Sequence, residues 1–199
     1  MSGNVTDVQT ELPPGGSAFV VFSNAADTAN HRLQHKEERV LLSLSGSWEL
    51  SFPDSSGAPL RLQIPVLSSL SQNSDPGIKY FSGTVTYHKK IGFKKEWLKT
   101  GTKLFLDIGE VKDLARVTLN GQRFPVLWKP PFKVEITEAA RAGDNELTVD
   151  VTNEWTNRLL GDSHGAGKKV LDGNVAPFGG EYELQQSGLL GPVRIIAEE

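Results

Sequence analysis

The sequence predicts an all-β fold, an antiparallel β-sandwich of the jelly-roll type, and three observations support this. Short segments alternate apolar and polar residues, Gly, Pro and Asn residues punctuate them, and no helical period extends beyond about one turn. About ten such strands in a chain of 199 residues fit one sandwich, because sandwiches often run to about 200 residues. We expect a single sandwich domain over residues 18–199, after a polar and flexible lead-in at residues 1–17.

The first half of the chain supplies several strand candidates. The continuously apolar segment at residues 18–23 predicts a first strand, and the charged residues 24–39 predict an exposed connection. Trp48, Leu50 and Phe52 alternate with polar residues, the period of two that places one face of a strand in a core. The same pattern recurs from Leu60 to Ile64 and over a long segment from Tyr80 to Phe93, where Gly83 suggests a bulge.

The second half continues this rhythm up to residue 153. Strands are predicted at residues 103–108, 115–120, 122–127, 132–136, 147–151 and 191–197, with single helical turns at residues 96–98 and 137–143. Asn120 and Gly121 predict a tight hairpin, because both residues tolerate positive φ. Residues 154–187 are rich in glycine and lack a period, so we expect a long loop there, functional or mobile.

Composition excludes several classes of function. Lys and Arg residues number 21 against 24 Asp and Glu, a net charge of −3, which argues against a nucleic-acid-binding protein. The chain has no cysteine, so disulfide frameworks and thiol nucleophiles are excluded. The longest apolar runs are far shorter than the roughly 20 residues of a membrane span, so no membrane partner is expected, and residues 1–16 lack the pattern of a signal peptide.

Aromatic residues beside turn-forming residues indicate carbohydrate recognition on the edge of the sandwich. Trp128, which precedes Lys-Pro-Pro, and Trp155 are the best candidates, because an indole face packs against the C–H surface of a pyranose. The alternative for each is packing against the core or another domain. Trp48 lies on an alternating strand and is expected in the core.

Polar candidates accompany these aromatic residues. A polar run of Asn153, Asn157, Arg158 and Asp162 follows a strand, and a guanidinium with short amides can bind hydroxyls or carboxylates. The alternative is that Arg158 and Asp162 pair with each other. Asp75, Lys79 and Tyr80 present the same ambiguity, since Asp75 before Pro-Gly is also a typical turn-forming residue.

Catalytic and zinc sites find little support in the sequence. Asp162, Asp172, Glu181 and Glu183 are carboxylates within one loop, but no spacing selects a glycosidase pair. No GxSxG motif is present to support a serine nucleophile near His164. His31 and His35 are four residues apart and Glu38 follows, a spacing seen in some zinc helices, but a solvated linker is the preferred interpretation.

Several segments together resemble a known family of domains. They are GGSAFVVF at 15–22, SGSWELSF at 45–52, DPGIKYFSGTVTYHKKI at 75–91, LFLDIGEVKDLARVTLNGQ at 104–122, VLWKPPFKVEIT at 126–137, NELTVDVTNEWTNRLLGD at 145–162 and SGLLGPVRI at 187–195. Over residues 18–197 the chain resembles the galactose-binding-like jelly roll of large glycoside hydrolases, especially the C-terminal sandwich of family 106 α-L-rhamnosidases. It is more distantly similar to the sugar-binding domain of family 2 enzymes.

This resemblance implies a non-catalytic carbohydrate-binding or accessory module of a rhamnosidase-like glycoside hydrolase. The partners it implies are an oligosaccharide or polysaccharide and the catalytic domain of a parent enzyme. In family 2 sandwiches, the loops that match residues 75–80 and 153–187 face the neighbouring active site. No cofactor is expected beyond a structural calcium ion, which this fold often carries, and a periplasmic or secreted location is implied. The alternatives are a docking domain that binds no sugar and an autonomous glycosidase.

Overall fold

Antiparallel sheets form the framework of this chain. The computed structural model describes residues 7, 8, 10–12, 15–22, 37–171 and 183–198. The strands are β1 Glu38–Ser43, β2 Trp48–Ser51, β3 Arg61–Ile64, β4 Thr84–Phe93, β5 Lys103–Asp107, β6 Glu110–Lys112, β7 Leu114–Leu119, β8 Gln122–Leu127, β9 Lys133–Glu135, β10 Gly143–Thr152, β11 Gly188–Gly191 and β12 Arg194–Glu198. The helices are α1 Pro76–Lys79 and α2 Thr156–Ser163, and 3₁₀ turns cover Leu70–Gln72 and Lys95–Trp97.

Two larger sheets and one short ribbon result from the pairing of these strands. One sheet has the order β1-β12-β5-β9, the second has the order β3-β2-β4-β10-β7-β8, and β6 pairs with β11. All pairings between these named strands are antiparallel. The predicted all-β antiparallel sandwich is therefore confirmed.

The core lies on the inner faces of the sheets, because alternate residues of each strand are apolar. Trp48 and Tyr87 are almost fully buried and meet edge to face, with ring centroids 6.5 Å apart. Phe52 and Phe81 make a second such contact at 4.9 Å. Edge-to-face pairs add to the stabilisation from area burial, so these aromatic residues fix the packing near β2 and β4.

The hairpin predicted at Asn120 and Gly121 is confirmed. These residues connect β7 to β8, with φ angles of 50° and 84°. Positive φ at both central positions matches the twist of the flanking strands, which explains the choice of Asn-Gly.

Three predicted elements differ from the structure. Residues 18–22 form no strand, Ser23 lies outside the described residues, and the first described strand is β1. The long strand predicted from Tyr80 begins only at Thr84, since Tyr80 is the C-cap of α1, and its ten pairs with β10 show no bulge. Gly143 begins β10 with a φ of 85°, and does not end a helical turn.

The predicted loop at residues 154–187 contains a helix. Within it α2 spans eight residues and buries Asn157, Arg158, Leu160 and Gly161. Its apolar positions are few and its glycine is buried, so the sequence lacks the usual apolar stripe of a helix. Residues 172–182 lie outside the described part of the chain.

One end of the six-stranded sheet carries the residues of functional interest. Thr152 pairs with both Thr84 and Leu114, and Leu127 pairs with Ala115, so β4 and β7 begin where β8 and β10 end. We call this end the rim, and it comprises residues 75–83, 113, 128 and 153–171 together with residues 183–187.

Candidate functional site

Asp75 on the rim acts as a helix cap. Its Oδ1 accepts a hydrogen bond of 2.7 Å from the amide of Gly77, and Pro76 occupies the first turn of α1. This satisfies an amide that a helix N-terminus would otherwise leave unpaired. The turn-forming role considered for Asp75 is the one that the structure shows. Lys79 follows in α1, with its ammonium 5.6 Å from the centre of the Tyr80 ring.

Asn153 joins two segments of the rim. Its Oδ1 accepts from the amide of Gly83 at 2.8 Å, and its Nδ2 donates to the carbonyl of Phe81 at 2.9 Å. Both ends of the side-chain amide are thus engaged with backbone, which ties residues 81–83 to the end of β10.

Arg158 and Asp162 form a buried ion pair one turn apart on α2. The distance from Nη2 of Arg158 to Oδ1 of Asp162 is 2.8 Å, and the two side chains are only 1% and 2% exposed. The pairing alternative for these residues is therefore the observed arrangement. Asp162 also accepts hydrogen bonds from the amides of Val170 and Leu171, so the pair holds the loop after α2 against the helix.

The guanidinium of Arg158 is only partly satisfied within the described residues. Nη2 also reaches the carbonyl of Ala166 at 3.4 Å, whereas Nε and Nη1 are buried and find no hydrogen-bond partner there. The backbone amide of Arg158 donates to Oγ of Ser82 at 3.2 Å. These contacts give Arg158 and Asp162 a structural role at the base of the rim.

Asn157, a member of the predicted polar run, is buried on the rim. Its side-chain amide accepts from the backbone N–H of Gln185 and donates to the same residue's carbonyl, both at 2.8 Å. This bidentate contact fixes residues 183–187 beside α2. Only the proximity of two segments that lie far apart in sequence reveals it.

A polar pocket of about 260 Å³ lies between these segments. Ser187 contributes a buried hydroxyl that has no hydrogen-bond partner among the described residues. Asp113 accepts from the amide of Glu154 at 3.1 Å. The lining groups are carboxylates, amides, hydroxyls and one ammonium, from Lys112, Asp113, Asn153, Glu154, Thr156, Asn157, Gln185, Gln186 and Ser187. Such groups can donate to and accept from a hydroxylated ligand. We call this the rim pocket.

Trp155 and Trp128 are both exposed on the rim. Trp155 is 51% exposed and lies between two residues that line the rim pocket, Glu154 and Thr156. Trp128 is 67% exposed and directly follows β8. Since Leu127 pairs with Ala115, extension of this pairing by one residue places Trp128 opposite Leu114. Two strand spacings, about 10 Å, separate β8 from β10, so Trp128 shares the end of the sheet but does not line the pocket.

A second, larger groove lies away from every predicted site residue. It has a volume of about 980 Å³ and lies on the outer face of β2, β3, β4 and β10. Its polar groups contact one another: Ser51 and His88 are 2.7 Å apart, and Arg61 lies 3.3 Å from Glu49. At its border, partial burial lowers the pKa of Lys89, whose ammonium donates to the Ser47 carbonyl. In the sequence, this groove corresponds to the polar residues that alternate with apolar ones along these strands.

The described residues offer neither a metal-binding cluster nor a membrane-spanning helix. Within the described part of the chain, no three His, Cys, Asp or Glu side chains lie close enough to hold a metal ion, and the calcium ion stays a prediction. His31 and His35 lie outside the described residues, whereas Glu38 pairs with Lys133 at 2.6 Å. None of the helices in the described ranges has the length and apolar character needed to cross a membrane.

Comparisons with known proteins place this fold among glycoside hydrolases. No protein-family model matches the chain. A putative β-glucuronidase of Formosa agariphila is 38% identical over 176 residues, which cover 76% of this chain and 15% of that protein. The structure of a rhamnosidase from Novosphingobium sp. PP1Y matches with a TM-score of 0.76 and 36% identity, over 83% of this chain and 16% of the rhamnosidase.

More distant structures agree in fold. A β-glucuronidase of an uncultured Clostridium sp. matches with a TM-score of 0.57 and 24% identity, over 83% of this chain and 30% of the enzyme. The resemblance to a sandwich of glycoside hydrolases is confirmed. The chain spans about 15% of the curated relative it matches, so it corresponds to a fragment or accessory domain of such an enzyme. The finer galactose-binding-like assignment stays a prediction.

Proposed function

We propose that this chain is a non-catalytic accessory domain of a rhamnosidase-like glycoside hydrolase and that its rim takes part in sugar recognition. The observation that supports this most directly is the rim pocket, whose carboxylates, amides and hydroxyls suit a hydroxylated ligand. Its volume is close to the lower limit of small-molecule sites, so one sugar ring is the expected occupant.

The buried and the exposed side chains of the rim have different roles. Asn153, Arg158 and Asp162 are engaged in internal hydrogen bonds, so they position the rim. Asp113, Glu154 and Gln186 line the pocket and are exposed, so they are free to meet a ligand. Trp155 would provide the aromatic surface beside them. Asp75, Lys79, Tyr80 and Trp128 extend the same end of the sandwich and would face a neighbouring catalytic domain.

Titration of the isolated protein tests this proposal. Rhamnose-, galactose- and uronate-containing oligosaccharides are added while backbone amide chemical shifts are recorded. We expect shifts that saturate at millimolar ligand for residues 113, 154 and 186, and a weaker response in Glu154→Ala. Glu96→Ala is the matched control, because Glu96 is exposed at the opposite end of the sheet. An unchanged spectrum at millimolar concentrations of all three sugars would reject independent sugar binding.

A second function, docking without sugar binding, is favoured by a specific surface. Trp128, Leu114 and Val126 are 67%, 42% and 38% exposed, and the pairing of β7 with β8 places them on the same outer face. An exposed apolar patch of this kind is typical of an interface. On this alternative the patch packs on the catalytic domain of the parent enzyme.

The docking alternative has its own test. The remainder of the parent polypeptide is produced separately and its affinity for this chain is measured. Trp128→Ala should weaken the complex at least about tenfold, since buried Trp residues dominate many interfaces. Trp155→Ala serves as the comparison. Equal affinities for the wild-type chain and Trp128→Ala would count against docking through this patch.

A further inference from the structure

The segment Ala18 to Phe22 exposes five consecutive apolar residues. Phe19 is 95% exposed, Val21 82% and Phe22 75%, while Val20 is half exposed. Burial of such side chains contributes about 1.5 to 3 kcal/mol each, so their exposure forgoes a large stabilisation. Isolated exposed apolar residues are common, but a contiguous run of Val and Phe marks a contact surface.

The backbone of this segment is also unpaired. Residues 18–22 belong to none of the three sheets, and none of their backbone groups is bonded to another backbone group within the described residues. Val and Phe favour strands, and five residues is a common strand length. The segment thus has the composition and length of a strand without a partner.

The edges of the two larger sheets do not suit such a strand, and the β6–β11 ribbon has strands of only three and four residues. The edge strands are β1 and β9 in one sheet and β3 and β8 in the other, and none of them contains a fully buried residue. In addition, β8 carries Pro125, which cannot donate to a neighbouring strand, and β9 has only three residues. A strand added here would keep one apolar face in water.

A strand that is apolar on both faces fits a sheet that is covered on both faces. We propose that residues 18–22 pair with the open edge of such a sheet in another domain of the parent enzyme. Backbone hydrogen bonds would supply affinity, and the Phe and Val side chains, which point alternately to the two faces of a strand, would fill the layers above and below. This inference rests on the accessory-domain part of the proposed function. The matched relatives leave ample room for such a domain, because this chain spans only about 15 to 16% of their length.

Hydrogen exchange tests the inference. Amides of residues 19–22 are followed in the isolated chain and in the full polypeptide that the gene encodes. We expect fast exchange in the isolated chain and exchange slowed at least about 100-fold in the full polypeptide, because strand pairing protects amides. Equally fast exchange in both would overturn the proposal. Protection in the isolated chain that grows with protein concentration would overturn it too, since the partner would then be a second copy.

Variants make the test specific. The double variant Phe19→Asp/Val21→Asp should restore fast exchange at residues 20 and 22 in the full polypeptide and leave β10 protected. Leu12→Asp is the control, since Leu12 is also half exposed but lies outside the segment. Persisting protection in the double variant would contradict the proposal. Sugar titration of the isolated chain reads out the rim pocket independently, so failure of one proposal is distinguishable from failure of the other.

Discussion

At the scale of single residues, the rim depends on polar side chains that satisfy one another. Asn153 and Asn157 each use both ends of the side-chain amide on backbone groups, and Arg158 is buried with Asp162. Residue type alone did not distinguish these roles from sugar binding, because the same groups serve both purposes. Burial decides between them, and burial follows from contacts with residues 81–83 and 183–187.

Removal of the Asp162 charge should destabilise the protein strongly. In Asp162→Asn the buried Arg158 loses its counter-charge, and breaking a buried pair typically costs about 3 to 5 kcal/mol. Urea denaturation measures the loss in unfolding free energy. The control is Glu49→Gln, which breaks an exposed pair with Arg61 and should cost less than about 1 kcal/mol. Similar losses in the two variants would show that the buried pair of Arg158 and Asp162 contributes no more to stability than the exposed pair.

Tyr87 provides a pH-dependent contribution to stability. Burial raises the pKa of its hydroxyl to about 12, only partly opposed by the hydrogen bond with the amide of Leu189. The folded state therefore holds the proton more tightly than the unfolded chain, whose Tyr pKa is about 10. This stabilisation is fully present below about pH 10 and is lost as the pH rises towards about 12.

The variant Tyr87→Phe isolates the contribution of Tyr87 to the pH dependence of stability. Between about pH 9 and pH 12 the wild-type protein should lose up to about 2 to 3 kcal/mol more unfolding free energy than the variant. Urea denaturation at several pH values in this range measures the difference. Parallel pH profiles for the two proteins would mean that folding does not raise the pKa of Tyr87.

At the scale of elements, strand alternation and turn chemistry are the most predictable features. The β7–β8 hairpin follows from Asn120 and Gly121 alone, and β10 follows from the alternation of Leu147, Val149 and Val151. By contrast, α2 was predicted as loop. Gly161 is buried in α2, and a Cβ there would lie 2.6 Å from the Tyr80 side chain. This close contact requires glycine at a helical position, whereas sequence rules assign glycine to loops.

The hairpin glycine should be more costly to replace than a strand glycine. A Cβ at Gly121 or at Gly92 would meet no atom within 4 Å, but only Gly121 has a positive φ, of 84°. Gly121→Ala should therefore cost about 1 to 2 kcal/mol from backbone strain. Gly92→Ala should be neutral or stabilising by up to about 1 kcal/mol. Thermal unfolding of both variants measures this, and an equal effect would exclude backbone strain as the cause.

At the scale of the whole molecule, the chain presents distinct surfaces around one core. The rim pocket lies at one end, the Trp128 patch lies on the outer face near the β7–β8 edge, and the unpaired segment 18–22 lies before β1. An accessory domain needs a surface for its parent enzyme as well as one for sugar. The similarity to short parts of much longer glycoside hydrolases shows only the fragment or accessory-domain character of the chain.

The isolated chain should have no hydrolase activity. Asp162 is committed to Arg158, so it cannot serve as a free acid, and the chain spans only about 15% of the putative β-glucuronidase that it matches. Aryl α-L-rhamnosides and aryl β-D-glucuronides should show no turnover above the buffer rate. Turnover that co-purifies with the wild-type chain and disappears in Glu154→Ala would contradict this expectation.

The sequence by itself determined the sandwich and most of its strands, because alternation and turn residues act over a few positions, whereas the exposure of Trp128 and Trp155 was decided by the structure. Only the tertiary structure decided that Asn153, Arg158 and Asp162 support the rim from within and that Asn157 and Gln185 close its pocket. Within the described part of the chain it also left residues 18–22 without a strand partner, although their composition predicted a strand. The reason is physical: burial and pairing depend on which distant segments meet, and local pattern does not specify that.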